Sequence, residues 1–132
     1  MRTHAIDHVN ILTEDLPATV AFYEGALGLV SDPSVLAGIG MAGTWLRDPE
    51  GRPIVHVVVK DGTRPAYDAY HVGQPTGAVH HVAFRCQGFD ATIARLRDQG
   101  RDIAVNDGNY NLRQIVLTDP NGIIVEMNFP GD

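Results

Sequence analysis

Asp119-Pro120-Asn121-Gly122-Ile123-Ile124-Val125-Glu126 is a tight turn feeding an apolar strand, and that strand carries a carboxylate where its pattern calls for another hydrophobe. A lone charge in an apolar setting costs several kcal/mol unless it is paired or binds a metal, so Glu126 prompts a search for partners. Asp48-Pro49-Glu50-Gly51 repeats the turn. The strand after it, Pro53-Ile54-Val55-His56-Val57-Val58-Val59, carries His56 where the later stretch carries Glu126. The chain therefore reads as an internal duplication.

The stretches before each turn repeat as well. Residues Ala5 to Leu12 alternate, with Val9 and Ile11 apolar on one face and His8 and Asn10 on the other. Asp15 is placed to cap a helix, Pro17 suits its first turn, and Leu16, Val20, Tyr23 and Leu27 recur at helical spacing before a stop at Gly28. An offset of 73 maps His8 to His81, Ile11 to Phe84, Leu16 to Phe89, Val20 to Ile93 and Tyr23 to Leu96. A second strand over Ala78 to Phe84 and a second helix ending at Gly100 are thus expected. Further strands fit Gly40 to Arg47, Ile103 to Val105 and Leu112 to Thr118. Each copy then runs strand, helix, strand, strand, strand, and the fold class is α+β. The predicted organisation is one domain over 1–132, with module one at about 1–62, a loop at 63–77 and module two at about 78–132. That loop, rich in glycine and proline, brings Tyr67, Tyr70 and His71, which either line a pocket or anchor the loop.

With 132 residues the chain is long enough for one core shared by two half-domains, and too short for two independent ones. A net charge of -6 argues against binding a nucleic-acid backbone. No stretch reaches the roughly 18 consecutive apolar residues of a membrane span, and the first residues show no secretory pattern. The expectation is a cytoplasmic protein with no nucleic-acid or membrane partner. The single Cys86 cannot form an internal disulfide and reads as a small buried hydrophobe.

Four potential ligands occupy matched positions: His8 and His81 on the leading strands, His56 and Glu126 on the closing strands. Neutral imidazoles and a carboxylate suit Zn, Fe(II), Ni, Co or Mn, and such a set leaves positions for water or substrate. One divalent metal ion is the expected cofactor. By alternation His80 points to the helix side and is read as structural. Arg85 shares the face of His81, while Tyr110, Arg113 and Gln114 stand at the start of a closing strand, as contacts for an anionic or polar substrate. Asn10 and Asn128 flank the ligands by two residues, as substrate contacts or as groups that orient the ligands.

These residues resemble the vicinal oxygen chelate superfamily, which includes glyoxalase I, extradiol dioxygenases, methylmalonyl-CoA epimerase, fosfomycin-resistance transferases and bleomycin-binding proteins. The carriers are Ile6-Asp7-His8-Val9, Ala21-Phe22-Tyr23 with Leu27-Gly28-Leu29, His80-His81-Val82-Ala83-Phe84, and Asp119-Pro120-Asn121-Gly122 with Glu126. The resemblance implies two tandem βαβββ modules whose sheets curl around a metal-binding cleft, metal ligands at His8, His56, His81 and Glu126, and a homodimer. It also implies a small-molecule substrate that chelates the metal through adjacent oxygens. Among its reactions a glyoxalase-like lyase or isomerase fits first, with Glu126 as the base, although an imidazole at His56 replaces the carboxylate of glyoxalase I. An extradiol Fe(II) dioxygenase is the alternative. Its signature has a tyrosine where Val116 stands and a histidine that is missing between residues 82 and 126. A non-catalytic binder, which would have lost the ligands, comes third.

Overall fold

The computed structural model describes residues 1–69, 71–73, 77–108 and 112–131. It divides into two compact units, Met1–Val72 and Gly73–Asp132. The first contains β1 (Val9–Thr13), α1 (Leu16–Leu27), β2 (Val30–Asp32), α2 (Ser34–Gly38), β3 (Gly43–Arg47), β4 (Pro53–Val59) and α3 (Pro65–Asp68). The second contains β5 (Val82–Arg85), α4 (Phe89–Asp98), β6 (Ala104–Asn106), β7 (Arg113–Thr118) and β8 (Ile124–Phe129). Their sheets have the same topology, β1-β4-β3-β2 and β5-β8-β7-β6, with the leading and closing strands parallel and the other pairs antiparallel. The protein is α+β, built from two tandem modules.

The duplicated turn is duplicated atom by atom. Asp48 Oδ1 accepts from the backbone N–H groups of Glu50 and Arg52, and Asp119 Oδ1 accepts from those of Asn121 and Ile123. In both turns the aspartate's own N–H reaches the carbonyl four residues on, and a glycine with positive φ, Gly51 or Gly122, closes the loop. Only glycine takes that backbone conformation without steric cost. The carboxylate supplies acceptors that a bare turn lacks, which is why this short motif fixes where each closing strand begins.

Alternation largely decides what each closing strand buries. Val55 and Val57 in β4, and Val125, Met127 and Phe129 in β8, are buried, while His56, Glu126 and Asn128 lie half-buried on the other face; Val58, on the His56 face, is buried as well. The α1 caps are as expected: Asp15 accepts from the Ala18 N–H at 3.0 Å, and Gly28 ends the helix in the left-handed conformation. The buried face of α1 differs from the expected stripe. It is Thr19, Phe22, Tyr23 and Ala26, with Leu16, Val20 and Leu27 at its margins. The reason is local: Thr19 is fully buried because its hydroxyl bonds the Asp15 carbonyl and Thr13, which turns the helix about its axis. The leading strands also start later than expected, so His8 and His81 stand one residue ahead of β1 and β5. β2 is the one of the three strands required after the helix by the module pattern that no sequence signal located, α2 is unforeseen, and α3 lies within the expected loop.

Candidate functional site

In the first unit the register sets Asn10 and Trp45 on either side of His56. Trp45 stacks on the His56 ring, with centroids 4.3 Å apart and planes 10° from parallel, and meets His8 edge-on at 4.9 Å. The His8 and His56 rings are 6.1 Å apart. Asn10 donates its side-chain amide to the His56 carbonyl at 3.0 Å, so it braces β4 at His56. Burial, and secondarily the charge of His8, lower the His56 pKa and keep that ring neutral, the form that binds metal. Its Nε2 is buried and has no hydrogen-bond partner among the described residues. A buried polar atom left unpartnered is costly, so Nε2 is a nitrogen open to a partner from outside the described residues. His8 Nδ1 is 2.7 Å from the Asp7 carboxylate. Because the carboxylate only accepts, Nδ1 carries the proton, and in the neutral form of the ring Nε2 has a lone pair to offer.

The second unit presents the other pair. His81 Nε2 is 3.8 Å from Glu126 Oε2, with the carboxylate side chain 18% exposed and the imidazole 38%. His81 Nδ1 meets His80 Nδ1 at 3.0 Å. Position 80, like position 7, touches the Nδ1 of the following histidine, so the offset of 73 extends to the residue before each ring; Asp7 only accepts, whereas the proton between His80 and His81 can sit on either nitrogen. His80 is exposed with its ring on His81, not packed on the helix side as alternation alone suggested, because both residues precede the strand and escape its period. Glu126 Oε1 accepts from the Asn128 amide at 2.9 Å, Asn128 Oδ1 accepts from Gln114, and Gln114 Oε1 accepts from Asn106, each also at 2.9 Å.

The remaining expected contacts fall in different places. Arg85 pairs in register with Asn128 on the Glu126 face and lines an open cleft of about 420 Å³ together with Ala83, Phe84, Leu112, Asn128 and Pro130. Arg113 turns the other way. Opposite Phe89's ring at 3.8 Å, its guanidinium donates to Asp107 and Asp90 at 2.8 Å each, so it ties β7 to α4 and is engaged away from the Glu126 face. Tyr110 and Tyr70 lie outside the described residues, and His71 is exposed. Cys86 is half-buried, and burial pushes its thiol pKa up, against a nucleophilic role. Among the described residues, no three His, Cys, Asp or Glu side chains form a ready-made metal cage. Each unit instead offers a pair.

The fit of this donor set to a metal is good on local grounds. Of the four side chains, three have one polar atom tied to a neighbour and one left over: His8 by Asp7, His81 by His80 and Glu126 by Asn128. The fourth, His56, has the orphaned Nε2. Trp45, Asp7, His80 and Asn106 were not singled out as site residues from sequence. The offset of 73 points to Asp7 and His80, whereas Trp45 and Asn106 become visible only once strand register is known.

The profile of the Glyoxalase/Bleomycin resistance protein/Dioxygenase superfamily matches residues 5–127, nearly the whole chain. The chain belongs to this superfamily. Solved structures share its fold. A glyoxalase/dioxygenase from Nostoc punctiforme superposes with a TM-score of 0.73 at 19% identity, over 97% of this chain and 92% of that one. A glyoxalase/bleomycin resistance protein/dioxygenase from Nocardioides gives 0.67 at 22%, covering 98% and 85%. The genomically encoded fosfomycin resistance protein FosX from Listeria monocytogenes gives 0.65 at 15%, covering 97% and 94%. Comparison with curated proteins gives no match. The superfamily unites enzymes and binders, and at these identities the structures speak for the fold alone. Among the described residues, no helix is long and apolar enough to cross a membrane.

Proposed function

We propose that the protein is a metal-dependent enzyme, a glyoxalase-like lyase or isomerase acting on a small substrate with adjacent oxygens. His8, His56, His81 and Glu126 are the ligands of one divalent ion, Fe, Ni, Co, Zn or Mn. The observation that carries this reading is the orphaned His56 Nε2, buried with no hydrogen-bond partner among the described residues, within a matched set whose other members each have one atom tied and one left over. A structural histidine would have its buried nitrogen satisfied.

A divalent cation bound here stabilises negative charge as it develops on a chelated substrate oxygen, a Lewis-acid role worth several kcal/mol. The chain's own residues supply the rest. Glu126 Oε2, leaving the ion when the substrate's two oxygens occupy it, would be the base that takes a proton from the carbon bearing one chelating oxygen and returns it to the carbon bearing the other, while the hydroxyl proton passes from the first oxygen to the second. Arg85, exposed on the same face, binds an anionic group of the substrate in the cleft, and the apolar Ala83, Leu112 and Pro130 beside it hold the substrate's carbon skeleton. The active form is a homodimer in a reducing cytoplasm.

The test is metal identification on anaerobically purified protein, then turnover of α-hydroxycarbonyl and hemithioacetal substrates. Turnover under Ni, Co or Zn without oxygen is the expected result. Oxygen uptake with catechols under Fe(II) would replace this reading with a ring-cleaving dioxygenase, and tight binding without turnover would replace it with a sequestering protein.

A further inference from the structure

Three amides run in single file to the proposed base. Asn106 Nδ2 donates to Gln114 Oε1, Gln114 Nε2 to Asn128 Oδ1, and Asn128 Nδ2 to Glu126 Oε1, all at 2.9 Å. The three residues come from three adjacent strands, β6, β7 and β8, at the paired positions Asn106–Gln114 and Gln114–Asn128. The direction of every amide is forced from one end. An ionised carboxylate only accepts, so Asn128 must present its nitrogen to Glu126, its oxygen then faces Gln114, and Gln114 in turn presents its oxygen to Asn106. Aligned donors polarise one another, which strengthens the last bond of such a series.

We propose that Asn106, Gln114 and Asn128 are positioning residues: the string pins Glu126 Oε1 and thereby leaves Oε2, the oxygen facing His81, as the working atom. This rests on the metal reading above. Gln114 and Asn128 thereby leave the group of substrate contacts, since both ends of each side-chain amide are already engaged within the sheet. A carboxylate on a two-fold rotor would otherwise offer either oxygen. Held at one, it presents the other in a fixed direction, as second-layer partners of metal ligands do elsewhere. The string lies on the open face of the sheet, away from the buried Ile115, Leu117, Val125 and Met127, so it can be cut without opening the core.

The experiment compares wild type, Gln114→Leu and Asn128→Asp in Co(II) affinity and in the ligand-field absorption of the Co(II) form, and these three together with Glu126→Ala in the side-chain amide NMR signals of the metal-free protein. Gln114→Leu should weaken Co(II) binding about 10-fold and alter the ligand-field bands while the melting temperature falls by no more than about 5 °C. Asn128→Asp, which faces one carboxylate with another, should weaken it further. In the metal-free wild type, the Asn128 amide protons should lie downfield, and Gln114→Leu should move them towards the position of a free amide. Wild-type Co(II) affinity and spectrum in Gln114→Leu would overturn the proposal. So would Asn128 amide signals that ignore both Gln114→Leu and Glu126→Ala. A wild-type protein that takes up no Co(II) sinks the metal reading instead, and the string then stands or falls on the NMR result.

Discussion

The two modules share a topology, a turn and a residue behind each leading histidine, yet they hold their closing-strand side chains by opposite means. His56 lies against the Trp45 ring, with its Nε2 unpartnered among the described residues. Glu126 has Val116 at the cross-strand position that Trp45 fills in the first module, and it is held by amides two residues along. The chemistry of the group explains the difference. A neutral imidazole is steadied by stacking and tolerates an apolar wall, whereas a carboxylate must be given donors. The repeat keeps the backbone device, and the side chains around it differ to suit His56 in one module and Glu126 in the other. The same contrast recurs in the turns. Asp48 receives a guanidinium from Arg52 at 2.7 Å, while the matching place after Asp119 is Ile123, and Asn121 supplies an amide instead.

The sharpest way to break the comparison is to remove one histidine from each module. If the pairs complete one site, His8→Ala and His81→Ala should each lower metal affinity on the order of 100-fold or more, since even outer-layer changes cost 10–100-fold. Isothermal titration should then find one ion per chain in the wild type. Two ions per chain, with one lost in each variant, would mean that each module binds alone.

Gly43 and Gln114 hold equivalent places, opposite Val58 and Asn128. They should respond oppositely. A Cβ at Gly43 would sit 2.2 Å from the Val57 carbonyl oxygen, on a backbone with φ +153°, so Gly43→Ala should cost about 3 kcal/mol in chemical denaturation. Gln114→Ala should cost about 1 kcal/mol or less, because only exposed-face hydrogen bonds are lost. Equal costs would erase the distinction.

Trp45→Ala should release the His56 ring and weaken metal binding about 10-fold, and Val116→Ala should leave it nearly unchanged. Binding isotherms that match wild type for both would show that stacking does not orient the ligand.

The smallest effects concern pH. Burial pushes the Asp48 carboxyl up, but the Arg52 N–H and guanidinium outweigh it, and the pKa is lowered overall. The stability it contributes is complete above the ordinary value of about 4 and is lost as the pH falls through the lowered folded value. Arg52→Met should therefore reduce stability at neutral pH and flatten its loss in acid; an unchanged acid profile would sink this account. In the metal-free protein, His56 should titrate below about 6.5 by NMR, since burial lowers its pKa. The stability from its neutral ring is complete above that pH and falls away as the pH drops towards and through the lowered folded value.

Most of the fold was legible because its signals are local. Asp15, Pro17 and Gly28 delimit α1 through caps that act within four residues, and the two Asp-Pro-x-Gly turns set the start of β4 and β8. The buried face of α1 was misjudged because apolar spacing does not register a threonine whose hydroxyl is satisfied inside the fold. Arg113 was misplaced for a related reason: one residue of register separates the Glu126 face from the helix face, and its neighbours Asp90 and Asp107 are distant in sequence or across a loop.

By itself the sequence determined the two-module repeat and the α+β class, and it singled out the four side chains proposed as donors, since repeated turns, alternation and matched histidines are properties of residue order. Only the tertiary structure decided how each donor is held. Trp45 meets His56, and Asn106 reaches Glu126 through two further amides, because consecutive strands pair in antiparallel register about 5 Å apart, and the register, which decides which residues face each other, follows from turn geometry and core packing rather than from spacing along the chain.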